Sequence, residues 1–202
     1  MENVFSEQIS GIYRLRVPFE NIYTSVFLIK ADGKKILVDC GTTSVDVDTV
    51  IIPALKKMRY DLSDIDMLVL THAHSDHAGG LARIRQIRPD LVVICEECAL
   101  AEGVITYSLR GHTDDAIGIL DERTGTLISG DGLQGAGIEK YRCLVEDKEE
   151  YRKTLERIKG DKRIESILFS HAYEPWYTDA VIGREDVEEC LVKCKECIGY
   201  KK

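Results

Sequence analysis

The stretch Thr71-His-Ala-His-Ser-Asp-His-Ala-Gly-Gly80 places His72, His74, Asp76 and His77 within six positions. It lies just past Met67-Leu-Val-Leu70, a short continuous apolar run that reads as a strand buried on both faces. In an extended loop side chains alternate with period two, so His72 and His74 point the same way. Asp76 and His77 follow after the chain turns towards Gly79-Gly80, where they can face a second point nearby. Crowding three imidazoles and a carboxylate is unfavourable without a cation. Imidazole and carboxylate suit zinc, iron or manganese, and two metals about 3.5–4 Å apart need roughly six or seven such ligands. A structural zinc site is usually four-coordinate and Cys-rich, and this cluster is neither.

The other two of the five histidines also sit at strand ends, in Gly111-His112-Thr113 and Ser170-His171-Ala172. Gly130-Asp131-Gly132, directly after a strand at Thr126–Ser129, offers a carboxylate between residues that let the backbone approach closely.

Around these motifs the pattern predicts sheets covered by helices. Gly11 to Val17 and Asn21 to Lys30 are rich in β-branched and aromatic residues and read as two paired strands, with Pro18 breaking between them. Asp32-Gly33 is a tight-turn signal before a third strand, Lys35–Asp39. A helix is expected over Asp48–Met58, starting late or kinked at Pro53, and another over Gly80–Ile87. Strands follow at Leu91–Cys95, Val104–Leu109, Ala116–Leu120 and Thr126–Ser129. Asp147 with Glu150 forms a capping box for a helix carrying Tyr151, Leu155 and Ile158 on one face and stopped by Gly160. Ile164–Phe169 is a further strand and Arg184–Ile198 a last helix. No repeat or linker interrupts the chain, so residues 1–202 read as a single domain.

The 202 residues carry 27 Lys and Arg against 35 Asp and Glu, a formal charge of −8, which argues against a nucleic acid or an anionic membrane as primary partner. With 44% hydrophobic and 31% charged residues the composition is globular, which excludes a disordered chain. The N-terminus has neither the basic nor the apolar region of a signal peptide, and no apolar run approaches the roughly 18 residues of a membrane span. Seven cysteines, an odd number without an export signal, predict reduced thiols and a cytoplasmic protein. Val187, Cys190, Leu191, Cys194 and Ile198 form an apolar helical stripe, so the Cys95-x-x-Cys98 and Cys194-x-x-Cys197 pairs are read first as packing, with a second metal or redox site as the alternative.

In that order along the chain, His72-x-His74-x-Asp76-His77, Gly111-His112-Thr113, Gly130-Asp131 and His171 resemble the metallo-β-lactamase-fold hydrolase superfamily. Leu37-Val-Asp-Cys-Gly41 resembles the strand-end Asp-x-Gly of the same family. The resemblance implies an α/β fold, a four-layer αββα sandwich with metals at one edge. It implies that His72, His74 and His112 hold one metal, that Asp76, His77 and His171 hold the other, and that Asp131 bridges them. Two divalent ions are expected, zinc first, with iron or manganese as alternatives. A metal-bound hydroxide would attack, Asp76 would orient the water or accept its proton, and Asp39 would hold a histidine ring or the motif loop in place.

Departures from the family's branches narrow the substrate. Asp131 stands where exported lactamases typically lack the bridging carboxylate. The ligand set is similar to that of hydroxyacylglutathione hydrolases, but only 31 residues follow His171, too few for their C-terminal helical extension. The flavodiiron branch has Glu where this chain has His74, and nucleic-acid-processing members carry large insertions. Phe19, Tyr107, Tyr141, Arg142, Tyr173 and Trp176 are candidates to line the cleft. The expected activity is hydrolysis of a small ester, thioester, lactone or related carbonyl compound. A mononuclear-iron persulfide dioxygenase of the same fold is the alternative, and a non-catalytic metal-binding scaffold ranks below it. The expected partners are a small-molecule substrate and, at most, a second copy of the chain.

Overall fold

A computed structural model describes residues 3–19, 22–133, 144–172 and 178–198. The chain forms two compact units, Met1–Cys95 with Leu100–Glu102, and Glu96–Ala99 with Gly103–Lys202.

In the first unit six strands line up in chain order: β1 (Ser6–Ile9), β2 (Ile12–Phe19), β3 (Ile22–Ala31), β4 (Lys34–Val38), β5 (Met67–Val69) and β6 (Val92–Ile94). β1 to β4 are antiparallel, and tight turns suffice to join them. Asp32 (φ 48°) and Gly33 (φ 71°) both take the left-handed conformation that a two-residue hairpin turn requires. β4, β5 and β6 are parallel, so each link is a crossover carrying helices. The first crossover holds α1 (Ser44–Asp46), a π-helical turn (Val47–Ile51) and α2 (Ile52–Lys57). It begins four residues before the expected helix, because Thr43 and Asp46 form a capping box there. Pro53 sits at the start of α2 directly after the π-helical turn, so its missing N–H falls where the helix changes type rather than inside a regular α-helix. The second crossover holds α3 (Ser75–Ala78) and α4 (Leu81–Ile87).

The core of this unit sets Leu15, Val17, Val26, Leu28, Leu37 and Leu68 of the sheet against Val47, Ile51, Leu55 and Ile84 of the helices. Phe27 and Ile29 alternate onto the opposite face and are also fully buried, so Val26–Ile29 within β3 reads as one apolar run. Pro18 does not break the hairpin; it lies inside β2 opposite Tyr23. The pairing of β1 reaches only Arg14, so no ladder bond is lost at the proline.

The second sheet has the order β12-β11-β10-β9-β8-β7, with β7 Ala99–Ala101, β8 Val104–Ser108, β9 Ile117–Asp121, β10 Thr126–Ile128, β11 Ser166–Leu168 and β12 Ala180–Ile182. β8, β9 and β10 are antiparallel. The crossover α5 (Lys148–Gly160) makes β10 and β11 parallel, and β12 returns antiparallel ahead of α6 (Arg184–Cys197). Asp147 caps α5 by accepting from the Glu149 and Glu150 amides, while Glu150 pairs forward with Lys153. Gly160 is the last helical residue, and Asp161 rather than a left-handed glycine ends the helix.

Tyr151, Leu155 and Ile158 pack into the second core with Leu120, Leu127, Ile167 and Phe169. Cys190 and Cys194 join them, as the helical stripe predicts. Cys95 does not follow the packing expectation: it is exposed and Cys98 is half-buried, because the segment follows the three-residue strand β6 rather than a helix. Cys143 lies outside the described residues. Among the described residues no helix is long and apolar enough to cross a membrane.

Candidate metal centre

In the first unit, the ends of β4 and β5 build one group of candidate donors. Asp39 follows β4 with φ 61°, a left-handed conformation that turns its carboxylate towards the end of β5. Its Oδ1 accepts from the Thr71 amide at 2.8 Å, and its Oδ2 accepts from Thr71 Oγ1 at 2.9 Å and from His77 Nδ1 at 2.7 Å. A carboxylate can only accept, so the His77 proton sits on Nδ1 and Nε2 is left to face Asp76 Oδ2 at 3.3 Å. Thr71 Oγ1 gives its one proton to Asp39 and accepts from His72 Nδ1 at 3.1 Å, which turns His72 Nε2 towards His74 Nδ1 at 3.0 Å. His74 precedes α3, whose single turn carries Asp76 and His77. Cys40 does not join this set. Its Sγ donates to the His77 carbonyl, and burial first, then the Asp39 charge, pushes its thiol up to about 12, so it stays protonated.

The second unit contributes His112, Asp131 and His171, all buried and all past strand ends. Asp131 Oδ1 lies 3.2 Å from His171 Nε2, and Oδ2 lies 3.8 Å from His112 Nε2. One carboxylate therefore turns its two oxygens to two different imidazoles. His112 Nδ1 donates to the Leu144 carbonyl at 2.6 Å, which again leaves Nε2 as the inward donor.

These spans suit metal binding. Two nitrogens about 2.0–2.1 Å from one tetrahedral zinc lie roughly 3.3 Å apart. The contacts at 3.0, 3.3 and 3.2 Å fall close to that separation, and His and Asp are the donor types of zinc, iron and manganese sites. The donors are thus fit to hold divalent metal.

Asp39 touches no candidate donor except through His77 Nδ1 and, by way of Thr71, His72. Asp39→Asn is expected to weaken metal binding about 10–100-fold, because carboxylates behind a histidine ligand fix its tautomer. Competition against a chromophoric chelator measures this. An unchanged affinity would show that Asp39 only ties β4 to β5.

Of the candidate lining residues, Phe19 ends β2 opposite Ile22. Tyr107 is 7% exposed and belongs to the core of the second unit, with the Arg157 guanidinium 5.1 Å from its ring centroid. Burial, with the Asp161 charge adding to it, raises its phenol above the ordinary value. The structure thus makes Tyr107 a packing residue, because its ring faces α5. Tyr141, Arg142, Tyr173 and Trp176 lie outside the described residues. Two contributors are not singled out by the sequence reading. Thr71 precedes the motif histidines and relays His72 to Asp39. The Leu144 carbonyl leaves no mark in a sequence, since every residue has one.

Residues 21–101 match the model of the metallo-beta-lactamase superfamily. The chain is 29% identical over 164 residues to a Beta-lactamase-like protein 2 homolog of Drosophila melanogaster, covering 67% of this chain and 54% of that protein. It is 34% identical over 73 residues to ribonuclease J of Mycobacterium tuberculosis, covering 34% of this chain and 13% of that protein. The chain therefore spans about half the length of the first relative and a small part of the second. Among solved structures it is similar to the metallo-beta-lactamase FIM-1 of Pseudomonas aeruginosa in its mono-zinc form, with a TM-score of 0.71 at 18% identity, covering 95% of this chain and 96% of that one. Two mixed sheets with their helices, matched over nearly the whole chain, show that this protein has the metallo-β-lactamase fold and carries that superfamily's sequence pattern over residues 21–101.

Proposed function

We propose that the chain is a metal-dependent hydrolase acting on a small ester, thioester, lactone or related carbonyl substrate. In this reading His72, His74 and His112 hold one divalent ion, and Asp76, His77, Asp131 and His171 hold a second, with Asp131 shared between them. The observation that carries it is the Asp131 carboxylate, whose two oxygens face His171 and His112 separately, an arrangement in which one carboxylate can serve two metals. Such a metal pair, when bound, lowers the pKa of a shared water towards neutrality and polarises a substrate carbonyl.

The chain's own residues do the rest. Asp39 and the Leu144 carbonyl keep the His77 and His112 protons on Nδ1, so both Nε2 atoms remain donors. In this reading Asp76, less buried than its neighbour His77, orients a water and accepts its proton. The charge of −8 supports a small molecule over a nucleic acid as substrate. The odd number of cysteines, seven, supports a reducing compartment.

Elemental analysis of protein purified without added metal, followed by an ester, thioester and lactone panel, tests this reading. About two equivalents of zinc, manganese or iron together with turnover of one substrate class is the expected result. About one equivalent of iron, with oxygen uptake on a persulfide and no hydrolysis, would replace it with the dioxygenase reading. A metal-free and inactive protein would overturn both.

A further inference from the structure

His112 sits where α5 and the segment ahead of it run back along the exit of β8. Arg157 donates to the Ser108 carbonyl, and Thr154 Oγ1 donates to the Arg110 carbonyl at 2.8 Å. Tyr151 presses on Gly111, where an added Cβ would lie 2.5 Å from the Tyr151 Cβ. The Asp147 amide donates to the Gly111 carbonyl at 3.1 Å and the Glu146 amide to the His112 carbonyl at 3.3 Å. Last in this series, the Leu144 carbonyl accepts from His112 Nδ1 at 2.6 Å. Residues 147, 151, 154 and 157 recur at helical spacing, so one helix face is laid along Ser108–Gly111 and ends at the histidine.

We propose that the strap Leu144–Asp147, anchored by α5, is the positioning element of His112, holding its ring in the Nδ1–H form so that Nε2 is presented as a metal donor. This rests on the reading of His112 as a metal ligand. Asp147 is the joint of the device. Its carboxylate accepts from the Glu149 and Glu150 amides at 2.9 and 3.0 Å, while its own amide is tied to Gly111. Removing the carboxylate frays the first turn of α5 and releases the strap. Without the Leu144 acceptor the imidazole distributes its proton over both nitrogens, and a ring with Nε2 protonated cannot bind metal through that atom.

The test uses the full chain, 15N-labelled at histidine, as parent, Asp147→Ala, Asp147→Ser and Lys153→Ala. Long-range 1H–15N spectra of the metal-free protein are expected to show His112 as Nδ1–H in the parent. A mixture of tautomers is expected in Asp147→Ala, with the parent pattern restored in Asp147→Ser and unchanged in Lys153→Ala. Zinc competition with a chelator is expected to show one affinity falling about 10–100-fold in Asp147→Ala while the other stays at the parent value. Should Asp147→Ala fail to fold, Thr154→Val removes the Arg110 tether and is read in the same way. A parent whose His112 carries its proton on Nε2, or an alanine variant keeping both the spectrum and both zinc affinities, would overturn the proposal. A parent that shows the Nδ1–H pattern but binds no zinc would overturn the metal reading and leave the grip of the strap on the ring supported.

Discussion

Asp131→Ala is expected to fold, to hold about one metal instead of two, and to lose at least about a thousandfold in hydrolytic turnover. Asp131 faces both His171 and His112, at 3.2 and 3.8 Å. Its removal takes away the carboxylate oxygens that face the two imidazoles. The apolar core of that unit, built on residues such as Leu120, Tyr151 and Phe169, does not include Asp131, so the melting temperature should stay near that of the parent. His74→Ala should act in the same way from the first unit, because it removes the nitrogen 3.0 Å from His72 Nε2. Turnover on the best substrate, elemental analysis and thermal melting by circular dichroism measure the three quantities. Full activity with unchanged metal content in either variant would rule out the proposed centre.

Gly79→Ala is expected to damage the protein through stability rather than chemistry. A Cβ at residue 79 would come within 1.8 Å of the Thr42 carbonyl oxygen and 2.4 Å of the Ser75 carbonyl oxygen. Both obstacles are backbone, so no rotamer change relieves them. Relief requires the Gly41–Thr43 loop to move away from α3, and with it the strand end that places Asp39 against His77. Overpacking of this kind costs about 3 kcal/mol or more, which lowers the midpoint by roughly 6–12 °C in a chain of this size. Gly160→Ala is the matched control. Nothing lies within 4 Å of a Cβ there and the residue is helical, so a gain of about 0.5–1 kcal/mol is expected. Thermal melts of the two variants beside the parent decide it. A Gly79→Ala protein as stable as the parent would mean that the close approach at Thr42 is not a constraint on the fold.

Legibility differed between kinds of element. β3 and β5 announce themselves through the apolar runs Val26–Ile29 and Met67–Val69, since a strand buried on both faces has little polar side to show. β1, β7 and β12 are not legible in the sequence because their three or four residues carry too little periodicity and, unlike β5, no continuous apolar run. Pro18 was misread for a related reason. A proline ends a central strand, and only the register of β1, stopping at Arg14, reveals that this position is open. Cys95 shares its C-x-x-C spacing with the α6 stripe, but its exposure depends on where the chain leaves β6.

The amino-acid sequence by itself determined the donor types and their order, because imidazole and carboxylate chemistry is carried by the side chains of His72, His74, Asp76, His77, His112, Asp131 and His171. It also determined most of the sheet, because hydrophobic periodicity records which faces are buried. Which nitrogen of each ring is offered was decided only by tertiary structure. That choice depends on the Asp39 carboxylate meeting His77 Nδ1, on Thr71 meeting His72 Nδ1, and on the Leu144 carbonyl meeting His112 Nδ1. A tautomer is set by the acceptor on the far side of the ring, and that acceptor comes from 32 to 38 positions away in the chain for two of the three.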